Sequence, residues 1–232
     1  VVRDGVEPLI RRLETYAREY LGRDDEGRER YYYEVRAQEP ADEVERAARM
    51  LFLNRTCYNG LYRVNRAGRF NVPHGRYVRP RILDADALRR ASRALARVDL
   101  RSVDVGDAGA DAEAGDFVYI DPPFVPLSET SSFTDYTTGR FGMREQLELR
   151  WLIDELTERG VLVMLSNSDV DWVHTAYETA RYRAGEAFAH HRIDRVPARR
   201  MINSRGDRRS PVDELVVMNP PLVEALRRGA AR

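Results

Sequence analysis

The first hundred residues repeat apolar positions at the three-to-four spacing of amphipathic helices. Residues 6–21 follow this spacing closely, and Gly22 ends the run. Pro40 begins a later run, at a position where a helix has no use for the missing N–H group. The pattern predicts helices at residues 6–21, 29–38, 40–56 and 84–97.

Residues 58–77 break this helical pattern. Alternating side chains run from Leu61 to Asn65, a glycine turn follows, and Phe70 and Val72 continue the alternation. Two alternating runs around a glycine turn are typical of a β-hairpin, which we therefore predict here.

From residue 98 onward, short apolar runs alternate with helical patterns. Strands are predicted at residues 117–120, 161–165, 188–196 and 212–218, and helices at 142–159 and 170–182. The first of these helices is expected to turn four apolar side chains inward, namely Leu147, Trp151, Leu152 and Leu156. Strands alternating with helices indicate an α/β fold. We therefore predict a helical region over residues 1–97 and an α/β core over 98–232.

The charge and cysteine content narrow the class of protein. The 232 residues contain 38 basic and 38 acidic side chains, and a net charge of zero counts mildly against a nucleic-acid binder. Local charge clusters matter more than the sum, and every basic side chain is arginine, whose planar fork pairs well with phosphate. A single cysteine excludes a disulfide framework and predicts a reducing compartment, the cytoplasm. No apolar run reaches the roughly eighteen residues that a membrane span needs.

The segment Asp121-Pro122-Pro123-Phe124 directly follows the first predicted strand, at the end where open α/β sheets bind ligands. An aromatic amine is a poor nucleophile, because its lone pair is delocalised into the ring. The Asp121 carboxylate and the Pro122 carbonyl can each accept one N–H of such an amine, which localises the lone pair. Phe124 offers a flat face for a flipped base, and the prolines fix the backbone. Taken alone, these four residues also fit a turn that merely ends a strand.

Longer motifs around this tetrad resemble the Dam-type deoxyadenosine methyltransferases, the α group of amino-methyltransferases. Tyr119-Ile120-Asp121-Pro122-Pro123-Phe124 resembles the catalytic loop of that family, and residues 53–63 with 68–77 resemble its DNA-reading hairpin. Further similar segments follow in the family's order at residues 125–128, 133–136, 165–169, 203–205 and 212–215. The resemblance implies an incomplete class I, Rossmann-like methyltransferase sheet with a helical target-recognition insertion.

The resemblance also implies an activity, which is methyl transfer from S-adenosylmethionine to a flipped adenine in double-stranded DNA. Many relatives with this hairpin methylate GATC, and Arg63 is expected to reach the O6 and N7 atoms of a guanine. The other expected DNA contacts are Asn59, Leu61, Asn71, Pro73, Arg76, Tyr77, Ser131, Phe133, Tyr136, Arg200 and Asn203. A solvated, arginine-rich surface is the alternative for the hairpin, and an exposed polar loop is equally open for Arg200 and Asn203.

The expected catalytic residues are Asp121, Pro122, Pro123 and Phe124, and the expected cofactor contacts are Asp104, Asp107, Asp121 and Phe124. Residues 103–110 look like a cofactor glycine turn, but they lie too close to the tetrad for a strand–helix–strand crossover. We therefore expect them at the end of the strand before the catalytic strand. No metal-ligand spacing is present, and a monomer is expected on DNA.

The sequence departs from the family at its start. The family's first segment holds the methionine end of the cofactor on a glycine-rich turn and the ribose on an acidic residue, and both would precede Val1. Three explanations for the absence of this segment stay open. The chain is incomplete, or the enzyme is split and a second chain supplies the segment, or the chain is a degraded relative that only binds DNA. A sheet without its first strand would have an edge of unpaired backbone N–H and C=O groups, which predicts poor stability of the chain in isolation. A non-catalytic DNA-binding module and methylation of another amine are further alternatives, although Asp121 favours adenine.

Three smaller features are expected to be structural. Asn219-Pro220-Pro221-Leu222 mimics the catalytic tetrad but lacks the aromatic residue, so it is predicted to end a strand. Cys57 is predicted to be buried at a helix end. His190 and His191 are predicted on one strand, with their rings on opposite faces.

Overall fold

A computed structural model describes residues 1–125, 141–178, 182–183, 186–187, 191–198 and 212–230. The chain divides into two compact units, Val1–Leu100 and Arg101–Arg232. Each unit has its own hydrophobic core. No helix in the described ranges is long and apolar enough to cross a membrane.

The first unit contains the helices α1 Val6–Leu21, α2 Asp25–Ala37, α3 Glu43–Thr56 and α4 Ala85–Leu95. The predicted bounds of α1 are confirmed, whereas α2 and α3 begin where an aspartate caps the helix. Asp24 accepts a hydrogen bond from the Gly27 N–H at 2.9 Å, and Asp42 accepts one from Glu45 at 2.9 Å. The prediction that Pro40 opens α3 is therefore wrong, because the capping side chain lies two residues further along.

Aromatic side chains fill the core of the first unit. Tyr16 stacks on Phe52 with the ring centroids 5.1 Å apart, and Tyr20 and Tyr31 meet the same ring edge-on. Such offset and edge-to-face contacts stabilise a core beyond the area that they bury. The core therefore joins α1, α2 and α3 around one phenylalanine.

In the second unit, helices and strands alternate from β1 to α6, and four successive strands then precede the last helix. The helices are α5 Met143–Glu158, α6 Asp171–Glu178 and α7 Pro220–Ala230. The strands are β1 Phe117–Ile120, β2 Leu162–Ser168, β3 Tyr182–Arg183, β4 Glu186–Ala187, β5 Arg192–Ala198 and β6 Val212–Met218. The predicted α/β class is confirmed.

The main sheet has the strand order β1-β2-β6-β5. β1 pairs with β2 in parallel, whereas β2 with β6 and β6 with β5 pair antiparallel. The sheet is thus mostly antiparallel, and β3 with β4 forms a separate two-stranded pair. β1 is the end strand of the described sheet, so one of its edges has no strand partner there.

Helix α5 buries a different face from the predicted one. Leu152 and Leu156 are buried as expected, but Leu147 is 37% and Trp151 is 47% exposed. The buried face instead includes the polar side chains of Gln146 and Arg150. Both residues can be buried because each hydrogen-bonds to a distant backbone carbonyl. Polar residues on the buried face make that face hard to recognise from the apolar pattern of the sequence.

Residues 105–111 form turns, and no strand precedes β1 among the described residues, so the strand expected to end at residues 103–110 is absent there. The Arg159 guanidinium donates to the carbonyls of Gly109, Ala110 and Ala112, which fixes the segment to the end of α5. A Cβ atom on Gly109 would lie 3.1 Å from Leu152, so the segment also packs closely on this helix. Turn hydrogen bonds and helix packing thus replace a strand ladder in this segment.

The predicted strand over 188–196 is present but shifted, since β5 begins at Arg192 and ends at Ala198. His191 therefore lies before the strand, and its predicted position on it is wrong. His190 lies outside the described residues, as does the end of the predicted helix over 170–182, of which α6 covers Asp171–Glu178.

Candidate active site

Asp121 lies at the end of β1, directly beside β2. The two strands are parallel with Ile120 opposite Leu165, and this register brings the Asp121 carboxylate next to Ser166. The Ser166 hydroxyl donates to Asp121 Oδ1 at 2.9 Å, and the Tyr119 hydroxyl donates to Ser166 Oγ at 3.0 Å. Asp121 is exposed, whereas Ser166 is buried. The Asp121 carboxylate is therefore anchored on one side by a residue of β2, and its other side is open to solvent.

Two buried amide side chains fix the backbone that follows Asp121. Gln146 on α5 donates to the Pro123 carbonyl at 2.8 Å, and Asn167 on β2 accepts from the Val125 N–H at 3.0 Å. The two amides also meet each other, since Asn167 Nδ2 lies 3.3 Å from Gln146 Oε1. An exposed loop would otherwise sample many conformations, so these bonds preorganise the residues after β1.

The polar groups that remain available point to chemistry on an amine. Among the described residues, no donor occupies the Pro122 carbonyl or the second carboxylate oxygen of Asp121. Two acceptors one residue apart can receive the two hydrogens of one amino group. Phe124 is 36% exposed, which leaves part of its ring free to contact a planar ligand. The structure thus brings together all four predicted catalytic residues at one strand end.

The sequence indicated this tetrad but not the residues that hold it. Gln146 was missed, because a glutamine in a helical pattern is usually on the solvated face. Ser166 and Asn167 lie within a segment that resembles the family's strand end, yet no role was predicted for either. The available signal was a run of polar residues closing an otherwise apolar buried strand.

Asp104 and Asp107 lie on an exposed turn of the second unit. The Asp104 carboxylate accepts from the Val105 N–H at 2.7 Å. The pKa of Arg144 at the start of α5 is raised, chiefly by its hydrogen bond to Glu145 and to a smaller extent by Asp104.

The described carboxylates suit a cationic cofactor that carries hydroxyl groups. Asp104 and Asp107 are exposed and can accept hydrogen bonds from hydroxyls, while Asp121 has the charge opposite to that of a sulfonium ion. These residues fit the polar parts of S-adenosylmethionine by their chemistry.

The predicted hairpin has two antiparallel arms that join at isolated bridges rather than along a continuous ladder. Val64 pairs with Phe70 and Cys57 with His74. The Asn65 side chain closes the turn by accepting from the N–H groups of Ala67 and Arg69, both at 3.0 Å. Cys57 is fully buried at the end of α3, which confirms its predicted place.

The arm between α3 and the hairpin turn begins with a tight bend. A 3-10 turn spans Tyr58–Gly60, with Asn59 in the left-handed region at a φ of 53°. The bend is closed by Asn54, whose side chain donates to the Gly60 carbonyl at 2.7 Å. This conformation leaves Asn59 exposed, where asparagine tolerates the strained backbone better than most residues.

Arg63 is exposed and braced by its own hairpin. Its Nε donates to Asn71 Oδ1 at 2.8 Å and its Nη2 to the Asn71 carbonyl at 3.3 Å. Asn71 thus occupies one side of the guanidinium fork, and Nη1 has no partner among the described residues. Pro73, Arg76 and Tyr77 are exposed as well.

Leu61 is half-buried and packs against the core of the first unit. The second arm of the hairpin is fixed to that core at Val72, whose carbonyl accepts from Tyr32 at 2.9 Å and from Arg36 at 3.0 Å. Both arms of the hairpin are therefore anchored to the helices of the first unit.

The remaining predicted contacts, Ser131, Phe133, Tyr136, Arg200 and Asn203, lie outside the described residues.

Comparison with known proteins adds a family match. The family model for D12 class N6 adenine-specific DNA methyltransferases matches residues 1–195. The type II methyltransferase M.MjaIII of Methanocaldococcus jannaschii is 42% identical over 228 residues, which cover 94% of this chain and 74% of that protein.

Two further relatives agree with this match. The type II methyltransferase M1.LlaDCHI of Lactococcus lactis subsp. cremoris is 36% identical over 94% of this chain and 73% of its own length. The DNA adenine methylase of Escherichia coli K12 is 35% identical over 82% of this chain and 65% of its own length.

Proposed function

Because the chain belongs to the D12 class of N6 adenine-specific DNA methyltransferases, we propose that it methylates one adenine within a specific sequence of duplex DNA. The methyl donor of this proposal is S-adenosylmethionine, and the leading target sequence is GATC. The observation that carries the proposal is the exposed Asp121 carboxylate beside the Pro122 carbonyl, with the loop fixed by Gln146 and Asn167.

Asp121 and Pro122 act on the target amine. Each accepts one N–H of the adenine amino group, so the nitrogen lone pair leaves the ring system and points away from the two acceptors. When bound, S-adenosylmethionine would supply an electrophilic methyl group by displacement from its positively charged sulfur, which would keep the electrons of the broken carbon–sulfur bond. Asp121 would hold the amine and take up its surplus proton, or pass that proton to water. Positioning and electrostatics supply most of the acceleration in such a displacement.

Adenine N6 lies within the stacked duplex, so this geometry requires the base to leave the helix. The exposed part of the Phe124 ring offers the extruded base a stacking surface on the same loop as both acceptors. Base flipping is therefore part of the proposal, with Phe124 as the stacking residue and Asp121 as the acceptor.

The hairpin of the first unit is the proposed reader of the target sequence. Arg63 uses the end of its fork that Asn71 does not occupy to contact the O6 and N7 atoms of a guanine. Asn59, Leu61, Pro73, Arg76 and Tyr77 are the neighbouring contacts in this proposal.

The variant Asp121→Asn tests the catalytic part. It keeps the shape of the side chain but removes the charge and one acceptor oxygen, so we expect methyl transfer to fall at least about a hundredfold. Transfer is measured as incorporation of labelled methyl groups into a GATC duplex by the full-length enzyme. Asp116→Asn is the matched control, because it neutralises an exposed carboxylate just before the other end of β1.

Normal incorporation by Asp121→Asn would reject the proposed mechanism. Equal losses in both variants would attribute the effect to charge or folding rather than to the acceptor. Loss of transfer in Asp121→Asn with normal DNA binding is the expected result.

A further inference from the structure

We infer that Ser166 is a positioning residue for the reaction and that Tyr119 in turn orients Ser166. This inference rests on the proposed function, since it concerns how Asp121 is aimed at the target amine. The three side chains form a hydrogen-bonded chain from Tyr119 through Ser166 to Asp121, with distances of 3.0 and 2.9 Å.

The direction of these bonds follows from the groups involved. A carboxylate can only accept, so the single hydroxyl proton of Ser166 is committed to Asp121 Oδ1. Ser166 Oγ is then an acceptor towards its other neighbour, and the Tyr119 hydroxyl is the donor that fills this place. Tyr119 thereby prevents Ser166 from turning its proton elsewhere.

As a consequence, the two carboxylate oxygens of Asp121 have different roles. Oδ1 is held by Ser166, while Oδ2 has no donor among the described residues and is presented for the amine. Ser166 is on β2 and buried, so this constraint comes from the sheet, whereas Asp121 is exposed and would otherwise rotate freely. An acceptor that rotates would lose the near-attack geometry that the displacement requires.

The sheet places all three residues on one face. Tyr119 and Asp121 are two positions apart along the extended chain, and the parallel register puts Ser166 beside Asp121. Tyr119 is 55% exposed despite its hydrogen bond, so neither core packing nor burial explains the position of its hydroxyl. Its contact with Ser166 is the one bond that the described residues give this hydroxyl.

The first test is Ser166→Ala in the full-length enzyme. We expect kcat for methyl transfer to fall about ten- to hundredfold, with the KM for DNA changed less than about threefold, because only the aim of Asp121 is lost. Ser166→Thr, which keeps a hydroxyl and suits a strand, should recover most of the rate. Ser168→Ala is the matched control, since Ser168 is equally buried two positions along the same strand and makes no side-chain bond to Asp121.

The second test is a double-mutant cycle with Tyr119→Phe. Alone, Tyr119→Phe should lower kcat about three- to tenfold, and in the Ser166→Ala background it should have no further effect, because it acts through Ser166. Three results would each overturn the inference. The first is an equal effect of Tyr119→Phe in both backgrounds. The others are a kcat of Ser166→Ala within about twofold of that of the parent enzyme, and a loss of kcat in Ser168→Ala equal to that in Ser166→Ala.

The outcomes separate this inference from the proposed function. If Asp121→Asn is fully active, the proposed function fails and the inference fails with it. If Asp121→Asn is inactive while Ser166→Ala and Tyr119→Phe are normal, the proposed function stands and the positioning role is rejected.

Discussion

At the scale of single residues, buried amides organise the second unit. Asn219 is 1% exposed and uses its whole side chain: Oδ1 accepts from the N–H groups of Val163 and Leu222, and Nδ2 donates to Thr157 Oγ1 and the Val161 carbonyl. It ends β6 and caps α7, which confirms that this second Pro-Pro segment terminates a strand. The resemblance of residues 219–222 to the predicted catalytic tetrad therefore has a structural explanation.

Asn219→Ala should destabilise the sheet of the second unit by about 2–4 kcal/mol, because it leaves several buried partners without a hydrogen bond. Hydrogen exchange of the β2 and β6 amides measures the free energy of opening of this sheet. Asn54→Ala in the first unit, which loses the single bond to Gly60, should cost only about 1 kcal/mol there. Unchanged protection of β2 in Asn219→Ala would contradict this assignment.

At the scale of elements, the hairpin shows how a recognition surface is braced. Arg63 projects into solvent but is held along one side by Asn71, so its free end has a defined direction before DNA arrives. An arginine whose rotamer is already fixed loses less entropy when it binds a guanine. We therefore assign Asn71 to the support of Arg63, within the proposed recognition of GATC.

Asn71→Ala should weaken binding to a GATC duplex about three- to tenfold, whereas Arg63→Ala should weaken it about ten- to hundredfold and relax the preference for the guanine. Asn71→Ala should have little effect once Arg63 is absent. Fluorescence anisotropy with GATC and guanine-substituted duplexes at fixed salt measures both quantities. Arg30→Ala is the charge-matched control, because Arg30 is exposed on α2. Equal loss of affinity for both duplexes in Arg63→Ala would indicate a phosphate contact instead.

At the scale of the whole molecule, the two units have separate cores, and we expect their stabilities to respond to pH in opposite directions. Burial lowers the pKa of His74, whose Nε2 lies 2.7 Å from the Tyr20 hydroxyl in the first unit. In the second unit, the hydrogen bond to Asp169, with a further one to Glu178, raises the pKa of His174. Arg195 shares Asp169 with His174, and both keep the pKa of Asp169 below its usual value.

The direction in which folding stability changes with pH depends on whether the folded or the unfolded chain binds the histidine proton more tightly. The unfolded chain protonates His74 more readily than the folded chain, so the first unit loses stability as the pH falls below the ordinary histidine value of about 6.5. The folded chain protonates His174 more readily, so its contribution is complete below about 6.5 and is lost as the pH rises through the higher folded pKa.

Hydrogen exchange between about pH 8 and pH 5.5 should therefore show falling protection in Val1–Leu100 and rising protection around β2 and α6. His74→Gln should abolish the first trend and His174→Gln the second, each without affecting the other unit's histidine. Parallel pH trends in both regions would contradict the assignment.

The family, the bounds of α1 and the position of β1 are predicted correctly, because each depends on residues that are neighbours along the chain. The catalytic role of residues 121–124 stays a prediction. Local spacing cannot reveal which polar residues are satisfied by distant partners, so the buried face of α5 was predicted incorrectly at Leu147 and Trp151. The convergence of Ser166 and Gln146 on the loop after β1 depends on contacts that cross 45 and 23 residues of sequence, so it exists only in the folded chain. These contacts follow from the parallel pairing of β1 with β2 and from the packing of α5 beside it, which set distances that no periodicity in the chain encodes.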